Sequence, residues 1–217
     1  MLLAAQRAAV VETCRRMAAD GLVVGTAGNV SARAGDLIAI TPTAVPYAEL
    51  TPERVGVHRL DGTPVEAPLA PTSELPLHLA AYRATGAGAV VHTHPVAATA
   101  LSCLVEEIPP VHYYVAMFGD RVRVAPYAPY GSDELAGATA AALGGGRTAC
   151  LLANHGAVST GADLAQAYQR TQYLEWLAEV ALRVLSSGCP PRLLTPAQLA
   201  EVAPRLAGYS GTERADP

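Results

Sequence analysis

The spacing of apolar residues changes repeatedly along the chain between the period of a helix and the period of a strand. Over residues 163–185 apolar side chains recur every three or four positions, which predicts a long amphipathic helix. Further helices are predicted over residues 4–19, 97–104, 131–143 and 196–208. Thr72 is a plausible N-cap for another helix, which runs through His78 and Tyr82. Short apolar runs bounded by turn residues predict strands over residues 37–41, 55–60, 88–92, 121–125, 150–153 and 156–159.

The order of these elements predicts the fold class. Strands and helices are mixed without a long linker or an internal repeat, so we expect one layered domain of the α/β or α+β type. We assign residues 1–208 to this domain and residues 209–217 to a C-terminal tail. The tail is expected to be mobile unless other groups hold it.

The composition of the chain limits the classes of molecule that it is expected to bind. The chain has 217 residues, 51% of them hydrophobic, which suits one globular domain with a substantial core. Its formal net charge of −4 gives no bulk attraction to nucleic acid or to an anionic membrane. Arg7, Glu12 and Arg15 interrupt the apolar start of the chain, and no stretch is long enough to span a bilayer. We therefore expect a cytoplasmic protein with neither a nucleic-acid nor a membrane partner.

The chain contains no lysine, because all 15 of its Lys and Arg positions are arginine. This excludes Schiff-base catalysis through a lysine, a pyridoxal-phosphate linkage and a lysine-dependent phosphate loop. A carbanion enzyme built on this chain needs another electron sink, and a metal ion is the natural candidate.

A pair of histidines ends one of the predicted strands. His92 and His94 follow the apolar run 87–91 and are two residues apart, so both imidazoles can project from one face. Such a pair can bind a divalent metal, although a histidine at a strand end is more often an ordinary core or surface residue. His155 ends a second apolar run, and three imidazoles leave coordination positions open, as catalytic metal sites do.

Three other segments carry candidate chemistry, each with an ordinary structural alternative. Glu74 can serve as a general base beside a metal, or simply as a carboxylate in the first turn of a helix. The loop 26–29 can bind an anion through N–H and O–H groups, or form an ordinary turn. Tyr113 can act as a phenolic acid, or pack as a strand aromatic.

Together, these segments resemble the class II, zinc-dependent aldolase family over nearly the whole chain. Each motif alone is modest, but their order and spacing are highly specific. The motifs are G-T-A-G-N-V-S-A-R at 25–33, I-T-P-T at 40–43, P-T-S-E at 71–74, V-V-H-T-H at 90–94, H-Y at 112–113, A-P-Y at 125–127 and N-H-G at 154–156.

The resemblance implies a role for each matching residue. The metal ligands would be His92, His94 and His155, holding one zinc ion per subunit. The catalytic acid and base would be Glu74, with Tyr113 and Tyr209 acting around the aldehyde half of the substrate. The substrate phosphate would be held by Thr26, Asn29, Thr43, Thr72 and Ser73.

The resemblance also implies the architecture and the reaction. The fold would be a central, largely antiparallel sheet flanked by helices, in a homotetramer whose sites lie at subunit boundaries. The substrate would be a small phosphorylated sugar, a ketose 1-phosphate such as L-fuculose 1-phosphate. Metal-dependent retro-aldol cleavage would release dihydroxyacetone phosphate and a small aldehyde such as L-lactaldehyde.

Departures from the family pattern and related reactions leave alternatives open. Ala44 stands where the family usually has glycine, Thr72 replaces a usual serine, and Tyr130 takes a position often filled by phenylalanine. These changes bear on the aldehyde more than on the reaction type. The nearest alternative function is L-ribulose-5-phosphate 4-epimerase, followed by a phosphosugar dehydratase and a binding module without activity.

Overall fold

The protein is described from a computed structural model that covers residues 1–207. Eight strands form one sheet within these residues: β1 (Asn29–Ala34), β2 (Leu37–Ile40), β3 (Gly56–Arg59), β4 (Pro64–Glu66), β5 (Ala89–Thr93), β6 (Val124–Ala125), β7 (Ala149–Leu152) and β8 (Gly156–Gly161). Their order in the sheet is β4-β3-β2-β1-β5-β8-β7-β6. The pair of β6 and β7 is parallel, and the other neighbours are antiparallel.

Helices cover both faces of this sheet. The helices are α1 (Ala4–Ala19), α2 (Leu75–Thr85), α3 (Val96–Ser102), α4 (Asp133–Leu143), α5 (Leu164–Ser186) and α6 (Pro196–Ala207). No helix within residues 1–207 is both long enough and apolar enough to cross a membrane. The architecture confirms the expected α/β fold with a central, largely antiparallel sheet between helices.

Alternation along the strands divides the core between the two faces. Val91 of β5 packs with α1 and the start of α5, and Leu151 of β7 packs with α3 and the rest of α5. Their neighbours Val90 and Leu152 point to the opposite face and pack with α2 and α4. Because side chains alternate, His92 shares the face of Val90 and therefore lies on the side covered by α2.

The bounds of two predicted elements change for a reason that the structure shows. The strand predicted over 121–125 is reduced to Val124–Ala125. The residues before it pair with another segment instead, because Arg123 forms an isolated bridge with Glu107 and the carbonyl of Val122 accepts from the N–H of Ile108. The helix predicted with Thr72 at its N-cap begins at Leu75, with Glu74 at the N-cap position. The reason is a bridge between Pro42 and Pro71, which holds the preceding segment extended beside the end of β2.

Candidate metal centre and substrate cleft

Four predicted site residues converge at one end of the sheet. His92 is the penultimate residue of β5, His94 directly follows that strand, His155 lies in the turn between β7 and β8, and Glu74 directly precedes α2. One ligand atom from each of these side chains lies within 4.8 Å of the others. The three imidazole rings are nearly equidistant, with centroids 4.7, 4.8 and 4.9 Å apart. They therefore surround a common point that the carboxylate also reaches.

Strand pairing fixes the orientation of His92. It lies opposite Asn29 in β1 and opposite Val158 in β8, and its side chain is fully buried. Its Nδ1 lies 3.0 Å from the carbonyl oxygen of Ala157, so Nδ1 carries the hydrogen and donates it. In the neutral ring this leaves a lone pair on Nε2, which points toward the cluster.

The turn that carries His155 depends on a close approach between two backbones. A side chain on Gly156 would place its Cβ 2.3 Å from the carbonyl oxygen of Thr93, the residue between His92 and His94. A Cβ at this distance cannot be accommodated without moving a strand. Gly156 therefore sets the separation between His155 and the histidine pair.

Replacement of Gly156 by alanine is expected to lower the free energy of unfolding by about 1–3 kcal/mol, through overpacking. Gly137→Ala is the matched control, because Gly137 lies inside α4 and an added Cβ would meet nothing within 4 Å. That change is expected to leave stability unchanged or to raise it slightly. Thermal unfolding of both variants checks the prediction, and equal Tm values would contradict it.

The two oxygens of Glu74 have different surroundings. Oε2 accepts a hydrogen bond from Nδ2 of Asn29 at 2.8 Å and lies 3.1 Å from Nε2 of His92. Oε1 is buried without a hydrogen-bond partner and lies 3.6 Å from Nε2 of His155. Burial would raise the pKa of Glu74, but His92, the Asn29 amide and His155 outweigh it and hold the pKa well below its usual range. The carboxylate is therefore ionised.

The histidines differ from one another in the direction of their pKa shifts. Burial lowers the pKa of His92, but the Glu74 carboxylate raises it by more. Burial, followed by the charge of His92, lowers the pKa of His94 to about 3, and the same causes lower that of His155 to about 4. His94 and His155 are thus neutral and carry nitrogen lone pairs at neutral pH.

These donors fit a divalent metal ion. Nε2 of His92 lies 2.9 Å from Nε2 of His94 and 3.1 Å from the Glu74 carboxylate, whose other oxygen has no hydrogen-bond partner. Imidazole nitrogens and carboxylate oxygens that converge in this way require positive charge between them, which a metal ion can supply. Three imidazoles with an available carboxylate are a donor set typical of catalytic zinc and similar metals.

A cleft of about 510 Å³ opens above this cluster. The five residues predicted to hold phosphate line it together with Glu74, His94 and His155: Thr26, Asn29, Thr43, Thr72 and Ser73. No arginine is among the lining residues in the described part of the chain. An anion in the cleft would therefore be held by O–H and N–H groups, aided by the N-terminal end of α2.

Ala44 departs from the family pattern in its side chain but keeps a backbone conformation typical of glycine. Ala44 lines the cleft and has a φ of 55°, in the left-handed region that glycine adopts without strain. The backbone thus has the conformation that a glycine would favour. Relative to glycine, the Ala44 methyl group is the difference that a ligand in the cleft would contact.

The predicted tyrosines do not join the cluster within the described chain. Tyr113 begins a short 3-10 helix (Tyr113–Met117), is 42% exposed and stacks on His112 with centroids 4.3 Å apart. It is not among the residues that line the cleft. Tyr209 lies outside the described residues. Tyr127 and Tyr130 are the tyrosines that line the cleft, and they are 67% and 74% exposed.

Sequence reasoning missed the buried position of His78. Its spacing from Glu74 suggests a pair on one helix face, but its ring points toward β1 and contacts Asn29 and Ser31. The available signal was a histidine within an otherwise apolar stretch of α2, L-P-L-H-L-A-A-Y at 75–82. A buried polar group in such a stretch requires a partner.

Comparison with known proteins identifies the family to which this site belongs. The model of the family described as class II aldolase and adducin N-terminal domain matches residues 8–182. The chain belongs to the class II aldolase family. The family match confirms the resemblance inferred from the motifs. The relatives of the chain are aldolases, so the protein is an enzyme of the aldolase type.

Relatives of this class II aldolase carry names with different sugars. A 5-deoxy-D-ribulose 1-phosphate aldolase of Bacillus thuringiensis is 36% identical over 212 residues, covering 96% of this chain and 99% of the relative. An L-fuculose phosphate aldolase of Escherichia coli is 39% identical over 202 residues, covering 92% and 93%. The solved structure of an L-fuculose 1-phosphate aldolase has a TM-score of 0.89 at 32% identity, covering 94% of this chain and 96% of that one.

Proposed function

We propose that this class II aldolase cleaves L-fuculose 1-phosphate, or a close analogue, to dihydroxyacetone phosphate and a small aldehyde such as L-lactaldehyde. The observation that carries the proposal is the position of three imidazoles and an ionised carboxylate at the floor of a cleft lined by hydroxyl groups. The relative named for L-fuculose phosphate and the solved structure with the same sugar support this choice.

In this proposal, His92, His94 and His155 hold one zinc ion in each subunit. Bound there, the metal would polarise the ketose carbonyl and stabilise the negative charge left when the carbon–carbon bond breaks. The missing lysines are consistent with this, because no Schiff base can take the charge instead.

Glu74 is proposed to move the proton at the carbon that carries this charge. Its Oε1 has no hydrogen-bond partner, whereas Oε2 is bonded to Asn29. Oε1 is thus the oxygen available to accept or return a proton. Its burial excludes water from the step and strengthens its interactions with charge on the substrate.

The phosphate is proposed to bind between the loop at 26–29 and the segment that precedes α2. Hydroxyl groups of Thr26, Thr43, Thr72 and Ser73 would donate to its oxygens, together with the Asn29 amide. A neutral site of this kind holds an anion through directed hydrogen bonds and the positive end of the α2 dipole.

The aldehyde half is proposed to meet tyrosines of a neighbouring subunit. Tyr113 is exposed and does not line the cleft of its own chain, which is consistent with a contribution to another chain's site. We propose a homotetramer with sites at subunit boundaries, in which Tyr113 and Tyr209 assist proton transfer at the departing aldehyde oxygen.

A substrate panel tests the proposed reaction. L-Fuculose 1-phosphate is expected to be cleaved with a kcat/KM at least about tenfold above that for other ketose 1-phosphates, a ratio within reach of pocket contacts. No epimerisation of L-ribulose 5-phosphate is expected. Preference for 5-deoxy-D-ribulose 1-phosphate, the sugar in the name of the Bacillus relative, would change the substrate, and epimerisation would contradict the reaction itself.

A further inference from the structure

A line of buried polar groups runs from the metal cluster into the space between β1 and α2. Tyr82 OH lies 2.7 Å from Ser31 Oγ, which lies 2.7 Å from Nδ1 of His78. Nε2 of His78 lies 2.6 Å from Oδ1 of Asn29, whose Nδ2 is 2.8 Å from Oε2 of Glu74. All five residues are at least 95% buried, and only Asn29 and Glu74 reach the cleft, so the other three depend on one another for their hydrogen bonds.

The direction of the hydrogen bonds in this line follows from the orientation of the Asn29 amide. Its Nδ2 lies against Oε2 of Glu74, so the amide donates its NH₂ to the carboxylate and turns its oxygen toward His78. That oxygen can only accept, so Nε2 of His78 carries the hydrogen. Nδ1 of the neutral ring must then accept from Ser31.

The far end of the line completes the same order. Since the Ser31 hydroxyl gives its hydrogen to His78, its oxygen accepts from the hydroxyl of Tyr82. His78 remains neutral because burial, with a smaller contribution from His92, lowers its pKa to about 3. A neutral ring with one donor and one acceptor is what the order requires.

This order has a consequence for Glu74. Asn29 occupies Oε2 as a donor, and Oε1 is left as the oxygen without a hydrogen-bond partner. If His78 took the other tautomer, its Nε2 would face the Asn29 oxygen with a lone pair. Asn29 would then favour a flipped amide, which would present oxygen instead of NH₂ to the carboxylate.

We propose that Ser31 and His78 are positioning residues that hold the Asn29 amide as a donor to Oε2 of Glu74, so that Oε1 faces the reacting carbon. The proposal rests on the function proposed above and adds residues that do not touch the substrate. It leaves the second hydrogen of the Asn29 NH₂ group for the substrate phosphate.

The tautomer of His78 can be observed without any assay of activity. In ¹⁵N–¹H NMR spectra of histidine-labelled protein, with His78 assigned from the spectrum of His78→Gln, the ring is expected as the Nε2–H form. Ser31→Ala removes the donor to Nδ1 and is expected to shift the ring toward the Nδ1–H form. Tyr82→Phe keeps the Ser31 donor and is expected to leave the tautomer unchanged. An Nδ1–H ring in the unsubstituted protein would overturn the proposal.

Kinetics separate positioning from simple structural support. His78→Leu is expected to lower kcat about 10–100-fold, the effect typical of residues that orient a metal-site group, with KM and bound metal nearly unchanged. His78→Gln is expected to recover much of that loss, since its amide can donate to Asn29. Ser31→Ala should lower kcat while Tyr82→Phe should not, although each removes one buried hydroxyl. Equal losses in these two variants, or in the two His78 variants, would overturn the positioning role.

The NMR and kinetic experiments also allow a failure of this inference to be distinguished from a failure of the proposed function. If the unsubstituted protein cleaves no ketose 1-phosphate, the proposed substrate is wrong, and the NMR spectra still decide the order of hydrogen bonds. If cleavage occurs and the tautomer does not respond to Ser31→Ala, the positioning role fails and the proposed function stands.

Discussion

Removal of the metal ion is expected to abolish cleavage, with recovery on adding zinc in the unsubstituted protein but not in His92→Ala. The reason is that the charge left by bond cleavage has no lysine to take it, and Lewis-acid stabilisation of several kcal/mol corresponds to about a 1,000-fold loss of kcat or more. His92 is the fully buried member of the histidine cluster, held by Ala157. Its loss therefore removes a fixed ligand that solvent cannot replace in the same geometry.

A matched control uses another buried histidine. His58 is 2% exposed, and its Nδ1 lies 3.2 Å from the carbonyl oxygen of Gly62, away from the cluster. His58→Gln is expected to keep one equivalent of metal and normal cleavage, as measured by elemental analysis and dihydroxyacetone phosphate release. Equal metal content in His92→Ala and His58→Gln would show that His92 is not a ligand.

Glu74→Gln is expected to retain zinc but to lower kcat about 100–10,000-fold, the range typical of removing a general acid or base. Glutamine keeps the shape of the side chain and still accepts from Asn29, but it cannot take up a proton. Three imidazoles remain to hold the metal. The variant therefore separates proton transfer from metal binding.

Glu134→Gln provides the control for this change, because Glu134 lies exposed in the first turn of α4. It is expected to behave as the unsubstituted protein in both metal content and kcat. Loss of zinc in Glu74→Gln would make Glu74 primarily a metal ligand. An unchanged kcat would remove it from the reaction.

The sequence predicted most of the strands and the histidine pair because both depend on local patterns. The strands β1 and β4 were not predicted, and the largely antiparallel sheet followed only from the family resemblance. Alternation in β5 places His92 on a defined face, and the run before His155 identifies the strand that ends beside it. The predicted start of α2 was wrong by two residues, with Glu74 rather than Thr72 at the N-cap position, since the bridge between Pro42 and Pro71 joins segments distant in sequence. Local capping signals do not contain that contact.

The rest of the site depends on contacts that no local pattern specifies. His78 lies on a helix whose apolar stripe is evident, but its partner Asn29 is 49 residues away and meets it only when α2 packs on β1. The roles of the predicted tyrosines depend on contacts between chains. Tyr113 lies away from the cleft of its own chain, so its role remains a prediction that concerns contacts between chains.

The most direct test of the central claim is the release of dihydroxyacetone phosphate from L-fuculose 1-phosphate by one preparation, assayed before chelation, after chelation and after adding zinc. The account predicts release in the first and third samples and none in the second, with His92→Ala inactive throughout. Full release after complete removal of metal, or in His92→Ala, would contradict metal-dependent cleavage at this site.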